Sequence, residues 1–453
     1  VGRSYWLLLT GFLASSLGTW IYRLALPLLV YDLTGSPLGT GLVYVMEYVP
    51  YLLLGMVGGV LADRYDRRRL LVVGDTASAV VTLVLAAMVA LGVGRLWPIY
   101  LVALLLAAVD PLYQPAFRAL VPALVPAERL PQANARVHIG EHAVGMAGPM
   151  AGGALVVAFG YHVAVYVDAG SFLLSALLIA LIGGRFTATA ARDRRRPEEG
   201  EPGPVTAGAG EGRARWPTAA GAEEGRARWS MAADLREGLR FLWRGDRAVL
   251  TTAIMSSACN FGVWLLLADL VYYLSSYHGF TPGEIGVVYA FQGAGAVAGA
   301  LLGGWLVRVW PPGRIMTWSL VAGGASMLLM TVARGPVPIG LAWTGQFAAA
   351  GTMIVATATV RQRLIPDHLL GRVLGTARMI AFASIPLAAL AAGLFEARAR
   401  DAYAIMVFAG LSWAVIAVAV ARSPLRRLTV EDVRAGTAAG SAPPSESPPP
   451  DRR

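Results

Sequence analysis

Six charged side chains interrupt runs of residues that are otherwise apolar: Arg23, Glu47, Asp110, Asp168, Asp269 and Arg378. A charge placed deep in such a run is costly unless it pairs, binds a proton or meets water, so each is a candidate for binding or proton exchange. Arg23 and Glu47 fall at similar depth in consecutive runs and can pair, either as a structural ion pair or as part of a site. Asp110 has no basic residue one helical turn away, which makes it the preferred proton-exchanging group, with Glu47 and Asp269 close behind. Asp168 has a second reading as a packing position near one end of its run.

Other chemistry is poorly provided for. His138-Ile-Gly-Glu141-His142 has the HxxEH spelling that in some metalloproteases supplies two zinc ligands and a general base. Histidines four apart share a helix face, but a catalytic zinc needs a third protein ligand. No partner in a hydrophilic segment follows, and the plainer reading is a polar turn entering an apolar helix. No catalytic residue, metal site or cofactor is expected. The chain has no lysine and no GxxxxGK[ST] phosphate loop, so an ATP-driven mechanism would need a partner chain. Cys259 is the one cysteine, which excludes an internal disulfide and reads as a small buried hydrophobe.

The elements that must position these groups are membrane helices. Of 453 residues, 56% are hydrophobic and 15% charged, against roughly 25% charged in a soluble chain. A helical span needs roughly 20 mainly apolar residues. Runs of that length fall near 5–30, 38–62, 70–93, 97–121, 139–159 and 161–183, then 247–275, 283–307, 313–333, 337–360, 371–396 and 402–422. The fold class is therefore all-α, with twelve spans. The first run is too long for the apolar part of a signal peptide and reads as the first span. The join at Phe159-Gly160-Tyr161 is the least certain division.

The arginines orient this array. Alternate loops carry Arg64, Arg67, Arg68 and Arg69, then Arg118, Arg129 and Arg136, then a long central segment, then Arg308 and Arg314, then Arg361, Arg363 and Arg372. The opposite loops carry only Arg95, Arg334, Arg398 and Arg400. By the positive-inside rule the first set is cytoplasmic, as are both termini of a twelve-span chain in the cell membrane. The formal net charge of +10 is thus explained by loops facing lipid and cytoplasm, and no nucleic-acid partner is expected.

Four segments follow: a six-helix unit at 1–184, a cytoplasmic linker at 185–245, a second six-helix unit at 246–424 and a Pro- and Ser-rich tail at 425–453. The linker repeats EGRARW at Glu211–Trp216 and Glu224–Trp229, whose Arg-Trp pairs could touch anionic headgroups although a solvated linker is the plainer reading. Its end places Met231, Leu235, Leu239 and Leu242 at helical spacing among charges, which predicts an amphipathic helix on the membrane surface. The two units echo each other, GVLAD at Gly59–Asp63 with GWLVR at Gly304–Arg308, and PAERL at Pro126–Leu130 with PDHLL at Pro366–Leu370. Both echoes are offset by about 240 residues, which argues for a duplicated unit.

At Gly58–Arg69 the chain reads GGVLADRYDRRR, which resembles the signature loop between the second and third helices of the major facilitator superfamily. It departs at Asp66, where that family usually has glycine. LPLLVYDLTGSPLGTGL, LVPALVPAERLPQANA and VDAGSFLLSALLI resemble the branch holding macrolide-efflux proteins and the enterobactin exporter. Gly148, Pro149, Gly152 and Gly153 match the GPxxGG element of the superfamily's drug:proton antiporters, although small residues also serve ordinary helix packing. In the second half Arg308 stands at the acidic position of the signature.

The resemblance implies a monomeric secondary transporter that moves a small molecule against protons by alternating access. It implies a gate at Gly59, Asp63, Arg64, Arg67 and Arg68; at the end of its helix Asp63 can pair with Arg118, or face the positive N-terminus of the eleventh helix near Gly371. The arginines have a second reading as topology determinants alone. The resemblance favours export of amphipathic compounds of drug, macrolide or siderophore type; a lysophospholipid flippase or a nutrient symporter on the same fold remains an alternative. The cavity wall is expected to include Trp20, Tyr22, Tyr113, Phe261, Trp264, Phe291 and Phe347, each of which could instead face lipid.

Overall fold

A computed structural model of the chain describes residues 2–54, 61, 64–92, 95–184, 186 and 231–428. In hydrocarbon every backbone N–H and C=O must be satisfied within its own segment, so the apolar runs become helices. They are α1 (Arg3–Thr34), α2 (Pro37–Leu54), α3 (Arg67–Ala90), α4 (Leu96–Leu124), α5 (Leu130–Phe159) and α6 (Tyr161–Ala180). After a short α7 (Met231–Arg244) come α8 (Arg247–Tyr272), α9 (Pro282–Leu306), α10 (Pro312–Val332), α11 (Pro336–Leu364), α12 (Asp367–Ala399) and α13 (Ala402–Ala421). Eleven of these are long and apolar enough to cross a membrane. α2, described over 18 residues, is the twelfth span.

Several edges lie outside the apolar runs. α5 begins at Leu130 and α12 at Asp367, because their polar first turns continue the helix beyond the hydrocarbon boundary. The division at Gly160 is real: its φ of 82° and ψ of 171° form a corner that a side chain would strain. The end of α8 differs from a plain helix, since Tyr273–Tyr277 forms a π-turn that hydrophobic periodicity does not reveal.

The packing has internal symmetry. In the first half α1 packs on α5 and α6, α3 on α4 and α6, and α2 on α4. In the second, α8 packs on α12 and α13, α10 on α11 and α13, and α9 on α11. These pairs correspond one to one when α8–α13 stand for α1–α6. The main contacts between halves, α2 with α12 and α5 with α9, exchange under the same correspondence. The chain is thus two pseudo-symmetric six-helix bundles.

Call the end where α1 starts the near end. The halves close on each other at the far end, where Gly153 of α5 faces Pro282 and Gly286 of α9 faces Pro149. Cβ atoms there would lie 2.4 Å and 2.5 Å from backbone oxygens. On the other side Gly41 of α2 meets Ala389 of α12 in the same way, and Gly393 meets Leu38. Tyr31 Oη and Ser276 Oγ add a 2.5 Å hydrogen bond between the halves. Toward the near end α5 and α9 instead expose Ile139 and Leu301, 68% and 72% accessible.

The amphipathic helix expected before the second half is present as α7. Its apolar face is covered by protein rather than left to a membrane surface: Leu242 packs with Val249, Ala253, Val373 and Ala377. Gly238 lets its backbone approach Thr376 and the Arg372 carbonyl, and Glu237 Oε2 accepts a 2.5 Å hydrogen bond from Arg372. The linker ahead of it, including both EGRARW repeats, and the tail from residue 429 lie outside the described residues.

The interhelical glycines generate a test. Gly286→Ala should destabilise the protein by about 1–3 kcal/mol, since the new methyl must push two backbones apart. Gly283→Ala, whose Cβ would meet Val157 at 3.7 Å and Thr281 Oγ1 at 3.9 Å, both ordinary contacts, should leave thermal unfolding unchanged. Equal melting of the two variants would show that the α5–α9 crossing does not depend on bare backbone contact.

Candidate functional site

A cavity of about 390 Å³ lies among α1–α6. Its lining holds the carboxylates Glu47, Asp75, Asp110, Glu141 and Asp168, against one arginine, Arg23, and His142. Phe12, Trp20, Tyr22, Tyr51, Tyr113 and Phe172 supply aromatic wall. Helical spacing explains the set on α1, where Ser15, Thr19, Tyr22, Arg23 and Leu26 recur at steps of three and four along one face.

Arg23 Nε and Glu47 Oε1 meet at 2.5 Å, so these two sequence candidates form an ion pair on the cavity wall. Trp20 extends it, with the guanidinium 5.6 Å from its ring centre. Asp110 is not bare: Tyr51 Oη donates to Oδ2 at 2.5 Å, and Gln114, one turn along α4, donates to Oδ1 at 3.4 Å. Tyr51 reaches the other half, its ring 5.9 Å from that of Phe382 on α12, and Tyr48 meets Phe382 at 6.4 Å and Trp264 at 4.5 Å. Arg378 sits over the same ring, 5.0 Å from the Phe382 ring centre. Asp110 is thereby one hydrogen bond away from an aromatic stack that joins the halves.

Asp168 is buried, and neither of its oxygens has a hydrogen-bond partner among the described residues; the same holds for the Tyr22 hydroxyl. A Cβ at Gly18 would lie 2.0 Å from Ser171 Oγ and 2.7 Å from Asp168 Oδ1, so glycine is what lets α1 and α6 cross there. Asp269 is not part of this cavity. It is buried on α8 in the second half, within electrostatic reach of Glu396 on α12, whose Oε1 accepts from Tyr277 at 3.1 Å.

Asp75 is the residue that sequence reasoning missed. It is 2% exposed on α3, and its Oδ2 accepts from Ser175 Oγ at 2.6 Å and from Tyr113 Oη at 3.4 Å, joining α3, α4 and α6. The signal was available, a carboxylate inside the apolar run 70–93.

Of the signature loop, Gly59 and Asp63 lie outside the described residues, and with them the pairing of Asp63 with Arg118. Arg64 and Arg118 are exposed. Arg67 donates to the Ala119 carbonyl at 3.2 Å, and Arg68 donates to the carbonyls of Ile179, at 3.2 Å, and Ala180. Ile179 and Ala180 end α6, so Arg68 places positive charge where that helix dipole is negative. Asp66, the departure from the family pattern, caps α3 through Arg69 N at 3.0 Å and accepts from Phe186 N at 2.8 Å. These side chains therefore fasten helix ends as well as carrying charge.

Gly148, Pro149, Gly152 and Gly153 are buried along α5. Gly148 and Gly152 face Trp20 and Ile21 of α1, and Gly153 faces α9, so this one element packs two interfaces. His138 Nδ1 and Glu141 Oε2 bond to each other at 3.0 Å, and the described residues hold no group of three or more side chains suited to a metal. Trp20, Tyr22 and Tyr113 line the cavity as expected, whereas Phe291 packs on Gly340 and Phe347 on Trp343 within the second bundle.

Two six-helix bundles, the first holding a cavity lined by carboxylates and aromatic rings, have the architecture of a membrane transporter. Residues 8–389 match the model of the Major Facilitator Superfamily, and the chain belongs to that family. It is 25% identical over 393 residues to the multidrug efflux pump Tap of Mycolicibacterium fortuitum, covering 85% of this chain and 88% of Tap. It is 32% identical over 166 residues to the uncharacterized MFS-type transporter YfiS of Bacillus subtilis (strain 168), a match spanning 36% of this chain and 39% of YfiS. Among solved structures, a bacterial homologue of the iron transporter ferroportin in its inward-facing state superposes with a TM-score of 0.67 at 15% identity, over 93% of this chain and 99% of that one.

The Arg23–Glu47 pair yields a stability prediction. Removing one partner of a buried pair costs about 3–5 kcal/mol. Here the two side chains are 33% and 18% exposed, so Glu47→Gln should cost less, about 1–3 kcal/mol. Thermal unfolding of the purified protein reads this, and the double variant Arg23→Gln/Glu47→Gln should recover part of the loss. A Glu47→Gln protein as stable as wild type would show that the pair holds no structure.

Proposed function

We propose that this chain is a proton-coupled exporter of amphipathic small molecules, cationic ones foremost, working by alternating access between its two bundles. The observation that carries the reading is the bond from Tyr51 to Asp110 beneath the Tyr51–Phe382 contact. An ionised carboxylate is a strong acceptor, and a protonated one is weaker. Proton uptake by Asp110 therefore loosens Tyr51 and with it a contact between halves. A proton is thus coupled to movement of the two bundles against each other. The lining supports the substrate class: five carboxylates face one arginine, and aromatic faces attract cations. The relative Tap, a multidrug efflux pump, supports export.

In this reading the near end, which bears the arginine-rich loops, is cytoplasmic and the plasma membrane is the site of action. The units 1–184 and 246–424 rock against each other, with Asp63 latching the near end when it closes. Asp75 and Asp168 are further acids on the cavity wall, and Asp269 stands apart as a second-half acid.

Proteoliposomes with an imposed pH gradient test this. Asp110→Asn should abolish proton-driven accumulation while leaving substrate exchange down its own gradient. Tyr51→Phe, which removes only the hydroxyl, should lower the proton-driven rate about tenfold. Uphill transport by Asp110→Asn at the wild-type rate would remove Asp110 from coupling, and Asp75, Asp269 or Glu47 would take its place.

A further inference from the structure

The sequence singles out one element that transport does not use, the amphipathic helix α7. Arg236, Arg240 and Arg244 recur at four-residue steps along it, which places them in one stripe, and all three are exposed. Trp243, 69% accessible, borders that stripe, and Arg247 at the start of α8 is exposed beside it. Glu237, the acid on this helix's described face, is engaged by Arg372. The outer side of α7 is therefore a row of guanidinium groups flanked by an indole.

Directly under Trp243 runs a groove of about 340 Å³ between α7, α8 and α12. Its walls are mainly apolar: Leu242 and Trp243 from α7, Leu250, Ile254 and Phe261 from α8 and Ile380 from α12, with Ser257 and Ser384 as the polar members. Ile254 is 56% accessible within it. Phe261 also packs against the cluster containing Tyr44, Ala388 and Ala389, so the groove borders a contact between the halves.

We infer that α7 and this groove form a binding site for an anionic phospholipid, its headgroup on Arg236, Arg240 and Arg244 and one acyl chain in the groove. Charge complementarity and the apolar lining select the occupant together. A row of arginines favours a phosphate diester, because guanidinium forks match its oxygens. A free anion would leave the groove unfilled, and a neutral lipid would leave the arginines without counter-charge. Basic residues beside a bilayer each contribute about 1 kcal/mol to attraction for anionic lipid. Tryptophan suits the level where chain meets headgroup.

Native mass spectrometry of the full chain in detergent, titrated with phosphatidylglycerol or with phosphatidylcholine of the same acyl chains, tests the site. The expected result is at least tenfold greater retention of phosphatidylglycerol. Arg236→Gln/Arg240→Gln/Arg244→Gln should reduce that preference to near parity, and Ala258→Trp, which fills the groove, should weaken retention of both lipids. Lipid-free melting checks that each variant is folded. Equal retention of the two lipids by the wild-type chain overturns the inference whatever the variants do. So does a folded triple variant that keeps the preference, or displacement of phosphatidylglycerol by millimolar inorganic phosphate, which would mark an anion site with no lipid role.

Discussion

Where the helices of the two bundles cross most closely, they touch through backbone. Gly153 and Gly286 bring α5 and α9 together at the far end, and Gly41 and Gly393 do the same for α2 and α12. Between apolar helices in lipid there is little hydrophobic drive to associate, so close packing and hydrogen bonds must hold them. Glycine permits the approach, and it permits it only where glycine occurs. The far end is therefore closed by contact, whereas toward the near end Ile139 and Leu301 on the same two helices are exposed. The rest of the structure depends on these crossings, because they are the pivots about which two bundles can rock.

The charges follow from the same geometry. A membrane interior tolerates ionisable groups when they pair, are hydrogen-bonded or face water. Arg23 and Glu47 satisfy each other, Asp110 is held by Tyr51 and Gln114, and Asp75 by Ser175 and Tyr113. Asp168 is the exception in the cavity, buried with no partner among the described residues, and its place opposite Gly18 shows that the chain makes room for it. The aromatic layer of Tyr48, Tyr51, Trp264 and Phe382 then connects these acids to the second bundle.

Much of this was legible in the residues, for identifiable reasons. Apolar run length gave the spans because a bilayer has a fixed thickness, and the paired echoes gave the duplication that the packing symmetry repeats. Glu47 with Arg23 was legible because depth can be counted along consecutive antiparallel spans. What could not be read were contacts set by helix rotation. Nothing in the run 97–121 says that Asp110 faces Tyr51, and nothing in the run 70–93 separates a buried Asp75 from a loop-edge acid. The separation of Asp269 from the first-half acids is likewise a matter of bundle membership. Asp66 looked like a defect in a signature and is instead a helix cap.

The central claim is that the bundles rock about the α2–α12 and α5–α9 crossings, opening one end as the other closes. Pulsed electron spin resonance distances in nanodiscs, with Cys259 replaced and spin labels at exposed sites, address it directly. One pair, Ile139 and Leu301, spans the near end, and a second, Asp32 and Arg398, spans the far end. As pH is changed with a transported amphipathic cation present, the near-end and far-end distances should change in opposite senses. Distances that stay fixed, or that change in the same sense at both ends, would contradict the account.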